Sequence, residues 1–211
     1  MTPEQEKFKD IHDKGGYVQV GDDFDYKIEV HAEKQEVVLY LKETDSDHDW
    51  LHNFLFIPWP LRLDGKTVWT TLGYATMYKS ANNAHMDEFV RIAELYPGYK
   101  TAIRGWSLGS AMGKIAARHY LIRTGTELDE QTTYGDVKCW LNPFTRYQKK
   151  IKRCREYVTV NDFVTWCVPF FWRTTKCKVG PRFNIKKIFD TRYWHEHYEE
   201  YDYTEYEEVP Q

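Results

Sequence analysis

The motif Gly-Trp-Ser-Leu-Gly at residues 105–109 constrains the fold more than any other part of the chain. Residues 99–104 before it have the pattern of a short strand, and residues 108–124 after it have the pattern of a helix. A strand, a tight turn and a helix in this order form one unit of a mainly parallel sheet. The motif therefore predicts an α/β protein with Ser107 on a sharp turn between a strand and a helix.

The two glycines of this motif have a steric explanation. In so tight a turn, a side chain at Gly105 or Gly109 would collide with the neighbouring strand or helix. The pattern is typical of a nucleophile elbow, whose serine hydroxyl projects above the sheet at the start of a helix. There the backbone N–H of Leu108 can stabilise an oxyanion. We predict that Ser107 is a nucleophile; the alternative is a glycine-rich turn with an incidental serine.

A serine nucleophile needs a histidine as its base and an acid that orients the histidine. In hydrolases with this motif the acid follows the serine, and the histidine follows the acid. Asp162 comes after a predicted strand at 157–160, so its carboxylate would lie at the same sheet edge as Ser107. An Asn-Asp pair after a strand is also a common turn. Downstream of Asp162 there are two histidines, His195 and His197, and the order of residues makes both candidate bases.

Other parts of the chain have recognisable periodicities. The further predicted elements are strands within 17–44 with turns at 21–23 and 31–34, an apolar loop at 54–63, a helix at 82–96, and strands at 137–141 and 157–160. The loop is predicted because Pro58 and Pro60 interrupt a run of large apolar residues. The two late strands are expected to end at the same sheet edge.

Length and charge limit the classes of protein to which the chain can belong. With 211 residues, we predict one domain over 1–211, ending in an acidic, tyrosine-rich tail at about 199–211 that is solvated or forms a charged helix face. The net charge is -3 and only residues 149–153 form a basic run, which argues against a nucleic-acid partner. The four cysteines have neither zinc-site spacing nor disulfide density, so we expect them to be reduced.

The start of the chain bears on localisation. It is acidic and polar, without the basic and apolar segments of a secretory signal, and no stretch is long and apolar enough for a transmembrane helix. We therefore expect a cytoplasmic protein, with secretion after removal of a signal left open.

The motifs together resemble those of the class 3 lipases, the fungal triacylglycerol lipase type. The segments that carry the resemblance are 39–46, 49–53, 72–78, 96–100, the elbow at 105–109, 141–143 after the next strand, 160–164 with Pro169, and 195–198. The resemblance implies an α/β-hydrolase fold: a mainly parallel central sheet flanked by helices, with a short lid segment. It also implies a triad of Ser107, Asp162 and His195, with His197 as the alternative base, and no cofactor or metal.

Two further features are implied by this resemblance alone. Thr44 matches the second oxyanion donor beside Leu108, and residues 46–56 fall where the family has its amphipathic lid. The lid residues that would contact substrate are Trp50, Leu51, Phe54 and Phe56. Such a lid would cover an apolar cleft or open to make transient contact with a lipid surface, although an ordinary core-packing helix is an equal alternative from the residues alone.

The chain departs from the family pattern at four positions. Trp106 and Thr71 each replace a histidine, Ser110 replaces a glycine, and Glu43 replaces the glycine next to Thr44. None of these is a member of the triad, but a carboxylate at Glu43 would oppose the negative charge that an oxyanion hole stabilises.

The sequence thus predicts a serine carboxylic-ester hydrolase that acts through an acyl-enzyme on lipid or other acyl esters. Two alternatives stay open. One is a catalytically inactive binding or structural protein with the hydrolase fold. The other is a thioesterase or acyltransferase with the same triad, because fold and triad do not determine the acyl acceptor.

Overall fold

The computed structural model describes residues 1–13, 15–20, 24–42, 57–141, 150–159, 162, 171–172, 177–179, 203 and 207–208. The helices are α1 (Pro3–His12), α2 (Leu72–Ser80), α3 (Ala84–Leu95) and α4 (Leu108–Thr124). The strands are β1 (Val18–Val20), β2 (Phe24–His31), β3 (Glu36–Lys42), β4 (Pro58–Leu63), β5 (Lys66–Thr71), β6 (Lys100–Trp106), β7 (Glu130–Tyr134), β8 (Trp140–Leu141), β9 (Arg153–Thr159), β10 (Phe171–Trp172), β11 (Cys177–Val179) and β12 (Glu207–Glu208). None of the described helices is long and apolar enough to cross a membrane.

Eight of these strands form one sheet in the order β1-β2-β3-β6-β7-β9-β11-β12. The strands from β3 to β11 in this order pair in parallel, whereas β1, β2 and β12 pair antiparallel to their neighbours. Helices lie against this sheet, so the predicted α/β-hydrolase architecture is confirmed. Parallel strands end at a common edge, and the loops after β3, β6, β7 and β9 therefore leave the sheet on the same side.

Side chains are buried on both faces of the sheet. In β3, the run from Val37 to Leu41 is buried at every position, as expected of a central strand covered on both sides. One face packs against α2, α3, α4 and the β4–β5 hairpin. The other face carries Tyr134 and Tyr157, whose rings stack with centroids 5.1 Å apart, and it is covered by α1.

Helix α1 was not among the sequence-based predictions. The side chain of Thr2 accepts a hydrogen bond from the N–H of Gln5, and the side chain of Gln5 accepts one from the N–H of Thr2, which is a capping box. Phe8 and Ile11 of the helix are buried against the sheet. The capping box was readable in the sequence, but whether so short a helix is stable depends on the sheet that receives its apolar side.

The prediction of an apolar loop at 54–63 is wrong for the part that the structure describes, because β4 pairs with β5 in an antiparallel hairpin. The N–H of Leu72 donates to the carbonyl of Ile57 at 2.9 Å, so Ile57 and Leu72 form a pair of the hydrogen-bonded type. By alternation along the ladder, Pro58 and Pro60 occupy pairs of the non-hydrogen-bonded type. Both prolines therefore lie where the ladder needs no N–H.

The predicted strand at 137–141 is also corrected. Only Trp140–Leu141 is a strand, and it pairs with β10 in a separate two-stranded ladder. The strand between β6 and β9 is β7, whose five residues are all buried although four of them are polar or charged. Because its side chains are mostly polar, apolar periodicity does not predict this strand. The segment that follows the next central strand is therefore 135–137, not the proposed 141–143.

Other predictions are confirmed. Strand β6 and helix α4 agree with the elements predicted around the elbow, α3 with the predicted helix at 82–96, and β9 with the strand predicted at 157–160. In the predicted solvated tail, however, Tyr203 is buried against Tyr157, and β12 pairs with β11. At these described positions the end of the chain is packed on the sheet and is not free in solvent.

Candidate active site

The turn between β6 and α4 holds Ser107 in a strained conformation. Its backbone has φ 53° and ψ −120°, and positive φ is uncommon for a residue with a side chain. The N–H of Ser107 donates to the carbonyl of Tyr134 at 2.9 Å, and the carbonyl of Ser107 accepts from the N–H of Ser110 at 2.9 Å. The turn is thus joined to the end of β7 on one side and to the first turn of α4 on the other.

The two glycines beside the serine are required by backbone contacts. A Cβ atom at Gly105 would overlap the carbonyl oxygen of Gly109, and one at Gly109 would overlap the carbonyl oxygen of Leu41 in β3. Backbone atoms cannot move aside as a flexible side chain can. The steric explanation predicted from the sequence is therefore correct, and it shows that α4 enters the fold in close contact with β3.

The elbow also places the serine in a favourable electrostatic position. Ser107 precedes the first residue of α4, and the first N–H groups of a helix have no acceptor within it. The N–H of Leu108 is one of these groups, and the aligned peptide dipoles of this 17-residue helix add positive potential at the same end. Ser107 itself is only 4% exposed, so charge that develops at this site is partly shielded from water.

Asp162 lies at the same edge of the sheet. It follows β9, which is separated from the elbow strand β6 only by β7. Its side chain is fully buried. A buried carboxylate close to the ends of parallel strands is in a suitable place to orient a histidine, and the role predicted for it from the sequence stays a prediction.

A buried ion pair holds the loop after β7 against the elbow helix. Nζ of Lys114 lies 2.9 Å from Oδ2 of Asp136, and both side chains are completely buried. Lys114 also donates to the carbonyl of Val137. The hydroxyl of Thr133 donates to Oδ1 of Asp136 at 2.8 Å, and the N–H of Asp136 donates to the carbonyl of Tyr157 at 3.1 Å. The pair therefore links α4, the loop after β7, and β9.

The charges around Lys114 explain why it stays protonated. Burial alone disfavours the charged form, but the carboxylates of Asp136 and Glu156 outweigh burial and hold the pKa of Lys114 above its ordinary value. A lysine that stays charged cannot act as a base. Lys114 is therefore a structural cation beneath the elbow, and its sequence position, on the same helix as the serine, gave no indication of this partner.

Cysteine thiols and possible metal ligands are the other reactive groups among the described residues. Burial raises the pKa of the Cys139 thiol to about 12, so this cysteine is not an activated thiolate. Cys139 is a free thiol. Within the described ranges, no group of three or more His, Cys, Asp or Glu side chains is arranged to hold a metal ion.

Comparison with known proteins decides the family. The model of the family Lipase (class 3) matches residues 38–171, which is more than half of the chain. The protein belongs to the class 3 lipase family. The match includes the elbow and Asp162 and ends before His195 and His197.

Solved structures of lipases resemble this protein in fold. Rhizomucor miehei triacylglyceride lipase is 18% identical with a TM-score of 0.65, and the match covers 78% of this chain and 65% of that one. Lipase II from Rhizopus niveus is 17% identical with a TM-score of 0.64, covering 74% and 61%. A triacylglycerol lipase whose catalytic centre is a serine protease triad is 17% identical with a TM-score of 0.63, covering 78% and 65%.

These figures define how far the likeness extends. The matched part of this chain spans less than two thirds of each of these lipases. At such identities the likeness is one of fold. No curated protein matched the chain.

Three of the four departures from the family pattern have a structural role in this protein. Trp106 packs against α1, with its ring centroid 4.6 Å from that of His12. The hydroxyl of Ser110 accepts a hydrogen bond from the N–H of Val137 at 3.1 Å. Thr71 caps α2, because its hydroxyl accepts from the N–H of Tyr74 at 3.2 Å. These residues therefore support the elbow's surroundings.

The remaining predicted site residues lie outside the part of the chain that the structure describes. They are Glu43 and the oxyanion donor Thr44, the lid residues Trp50, Leu51, Phe54 and Phe56, and the two candidate bases His195 and His197. Their roles stay predictions. The structure therefore places Ser107, Leu108 and Asp162, and it adds Lys114 and Asp136, which sequence reasoning missed.

Proposed function

We propose that this protein is a serine carboxylic-ester hydrolase that acts on lipids or other acyl esters. The observation that carries the proposal is the backbone of Ser107, held at φ 53° between β6 and the N-terminus of α4. A strained serine on such a turn persists only where the surrounding structure enforces it, and strain of this kind concentrates at functional sites. Membership of the class 3 lipase family supports the same chemistry.

The proposed reaction proceeds through an acyl-enzyme. His195, or His197 as the alternative, accepts the proton of Ser107 while the serine oxygen attacks the ester carbonyl carbon. Asp162 orients the imidazole, and the N–H of Leu108 with Thr44 stabilises the oxyanion. The imidazolium then protonates the departing alcohol. Water, deprotonated by the same histidine, attacks the acyl-enzyme and releases the carboxylic acid and the free serine.

An apolar lid would direct this chemistry toward acyl chains. Trp50, Leu51, Phe54 and Phe56 fall in the segment that the sequence assigns to the lid. Their apolar side chains would contact the acyl part of a substrate and exclude water from the acyl-enzyme. In the solved structures a triacylglycerol lipase has a serine protease triad as its catalytic centre, which supports the proposed triad here.

A fluorophosphonate probe tests the nucleophile, because it reacts covalently with an activated serine. The wild-type protein is expected to be labelled, and Ser107→Ala is expected to abolish labelling. Ser80→Ala is the matched control, since Ser80 is an exposed serine at the end of α2 and should not affect the reaction. Folded wild-type protein that takes no label would contradict the proposal and favour a non-catalytic binding protein.

The same probe distinguishes the two histidines. His195→Ala and His197→Ala are compared under identical conditions, and the variant that loses labelling identifies the base. If both variants react as fast as the wild type, the proposed triad is wrong. A panel of triacylglycerol, phospholipid, simple ester and thioester substrates, with water or an alcohol as acceptor, then separates lipase from thioesterase and acyltransferase activity.

A further inference from the structure

A cavity lies at the end of α4 opposite to Ser107. Its volume is about 570 Å³, which is within the range of small-molecule sites. The last turns of α3 and α4, the start of β6, and the segment before β7 line it. Because α4 has 17 residues and a helix rises about 1.5 Å per residue, the two ends of α4 are about 25 Å apart. The cavity is therefore separate from the candidate active site.

Three tyrosines line this cavity, which we call the tyrosine cavity: Tyr96, Tyr99 and Tyr120. The rings of Tyr96 and Tyr99 have centroids 5.3 Å apart and planes tilted by 39°. Burial, with smaller contributions from the charges of Asp129 and Glu94, raises the pKa of Tyr120 above its ordinary value, so its phenol is neutral. The faces of neutral aromatic rings attract cations. The walls of the cavity therefore favour a positively charged ligand.

The basic side chains at the cavity already have partners. Arg123 donates to both carboxylate oxygens of Asp64, at 2.7 and 3.1 Å, and it also donates to Asp87. Nζ of Lys152 lies 2.6 Å from Oδ1 of Asp129. These ion pairs neutralise both cations within the protein, so neither is available to attract an anion into the cavity.

Two further carboxylates at the cavity are not neutralised in this way. Glu94 and Glu127 line it and are exposed, and neither forms an ion pair with another residue in the described part of the chain. The charge of Glu127 acts on Lys152 from a longer distance, but Lys152 is paired with Asp129. Helices α3 and α4 both end at the cavity, and the C-terminal end of a helix carries partial negative charge. The cavity therefore has an excess of negative charge.

We propose that the tyrosine cavity binds a small organic ammonium ion. The carboxylates at its rim compensate the positive charge, and the tyrosine rings contact the carbon atoms that carry it. A metal ion fits less well, because among the residues that the structure describes no group of three or more His, Cys, Asp or Glu side chains could hold one. The cavity lies away from Ser107, so this inference goes beyond the proposed function and does not depend on it.

The test is the binding of two probes, tetramethylammonium chloride and 1,4-diaminobutane dihydrochloride, measured by isothermal titration calorimetry at constant ionic strength. At least one probe is expected to bind at a single site and to raise the melting temperature, because a ligand that binds only the folded state stabilises it. Potassium chloride at the same ionic strength should do neither. Stronger binding of tetramethylammonium would identify a quaternary ammonium ligand, and stronger binding of the diamine a primary amine that donates hydrogen bonds.

A pair of double variants tests the rings. Tyr96→Leu with Tyr99→Leu removes both aromatic faces and should weaken binding of the preferred probe about fivefold. Tyr96→Phe with Tyr99→Phe is the matched control, because it keeps the rings and removes only the hydroxyl groups. It should bind the probe as the wild type does.

A second pair of double variants tests the carboxylates. Glu94→Gln with Glu127→Gln should weaken binding about five- to tenfold, as expected for two solvent-screened charges. Glu6→Gln with Glu33→Gln is the matched control, since it removes the same number of charges from α1 and from the turn after β2, outside the cavity. This control should leave binding unchanged.

Two results would overturn the proposal. One is that neither probe binds the folded wild-type protein. The other is that the probe binds the folded Glu94→Gln, Glu127→Gln variant and the wild type equally well. Both glutamates are exposed, so this variant is expected to fold, and circular dichroism checks it.

The outcome is independent of the proposed function. Fluorophosphonate labelling reports on Ser107 alone, whereas calorimetry with Ser107→Ala reports on the cavity alone. Ammonium binding with no labelling would refute the hydrolase and leave the cavity site intact. Labelling with no ammonium binding would refute the cavity site and leave the hydrolase intact.

Discussion

The two ends of α4 hold the helix in place by different kinds of electrostatic interaction. At the end that carries Ser107, Lys114 and Asp136 form an ion pair with no solvent exposure. At the far end, Arg123 pairs with Asp64 and Asp87, and these side chains are 21%, 31% and 64% exposed. A buried pair is costly to break because it leaves an uncompensated charge, whereas an exposed pair contributes little. The end that carries Ser107 is therefore the more tightly constrained.

The two ends also differ in how they respond to pH. At the near end, the carboxylates of Asp136 and Glu156 hold the pKa of Lys114 above its ordinary value. The far end contains His85 and His119, both buried beside Tyr78. Burial lowers the pKa of both histidines. Mild acid should therefore destabilise the far end, where both histidines resist protonation in the folded protein.

The largest expected effect is at the buried pair. Lys114→Met leaves the Asp136 carboxylate buried without its cation and should lower the free energy of unfolding by about 3–5 kcal/mol. Urea denaturation measures this change. Lys114→Met combined with Asp136→Leu removes both charges and should recover most of the loss. If the single variant is as stable as the wild type, the pair does not constrain the elbow.

The next effect tests the close approach of α4 to β3. Gly109→Ala places a methyl group against the carbonyl of Leu41 and should cost about 2–3 kcal/mol, with loss of probe labelling as the elbow shifts. Gly113→Ala is the matched control on the same helix, because its methyl group would lie 3.4 Å from Ile103, in ordinary contact. The control should be neutral or slightly stabilising by thermal denaturation. Equal losses in both variants would argue against the close approach.

Acid should destabilise the far end through His85. Burial, with smaller contributions from the charges of His119 and Arg123, lowers the pKa of His85 to about 3, against 6.5 when it is free. Below pH 6.5 the unfolded chain takes up a proton that the folded protein refuses, so acid favours unfolding. The free energy of unfolding should therefore fall by about 2 kcal/mol between pH 7 and pH 5.

Urea midpoints measured across this pH range test the assignment. His85→Leu removes the titrating group and should flatten the dependence on pH. If His85→Leu keeps the full acid sensitivity of the wild type, a group other than His85 causes it.

The smallest effect is expected at the exposed ion pairs. Arg123→Gln should lower the free energy of unfolding by about 1 kcal/mol or less, because solvent screens its interactions with Asp64 and Asp87. Adding salt should reduce the difference from the wild type further. A loss as large as that of Lys114→Met would remove the contrast between the two ends of α4.

Features that depend on neighbours along the chain were predictable. The bounds of α4, residues 108–124, follow from the elbow glycines at one end and Gly125 at the other, where φ is 69°. The elbow itself was predictable because the residues that a tight strand-to-helix turn requires form a motif of five consecutive residues, although the atom that Gly109 avoids belongs to the distant Leu41. Asp162 was found because it follows a strand whose apolar and β-branched residues are recognisable in the sequence.

Features that depend on distant partners were not predictable in this way. The polar run of β7 became a buried strand because its neighbours β6 and β9 satisfy its backbone groups and Lys7 neutralises Glu130 at 2.5 Å. The prolines at 58 and 60 were compatible with a hairpin because the register left their positions free of ladder hydrogen bonds. Neither fact is a property of the segment alone.

The sequence by itself determined the class of fold and the position of Ser107, because a tight strand-to-helix turn tolerates few residue types and these appear as a motif of five consecutive residues. Only the tertiary structure decided what supports that turn. Lys114 and Asp136 are 22 residues apart, and only folding brings them together, so that each compensates the charge that the other carries into a space from which water is excluded. Burial is a property of the whole assembly of helices and sheet, and no local pattern encodes it.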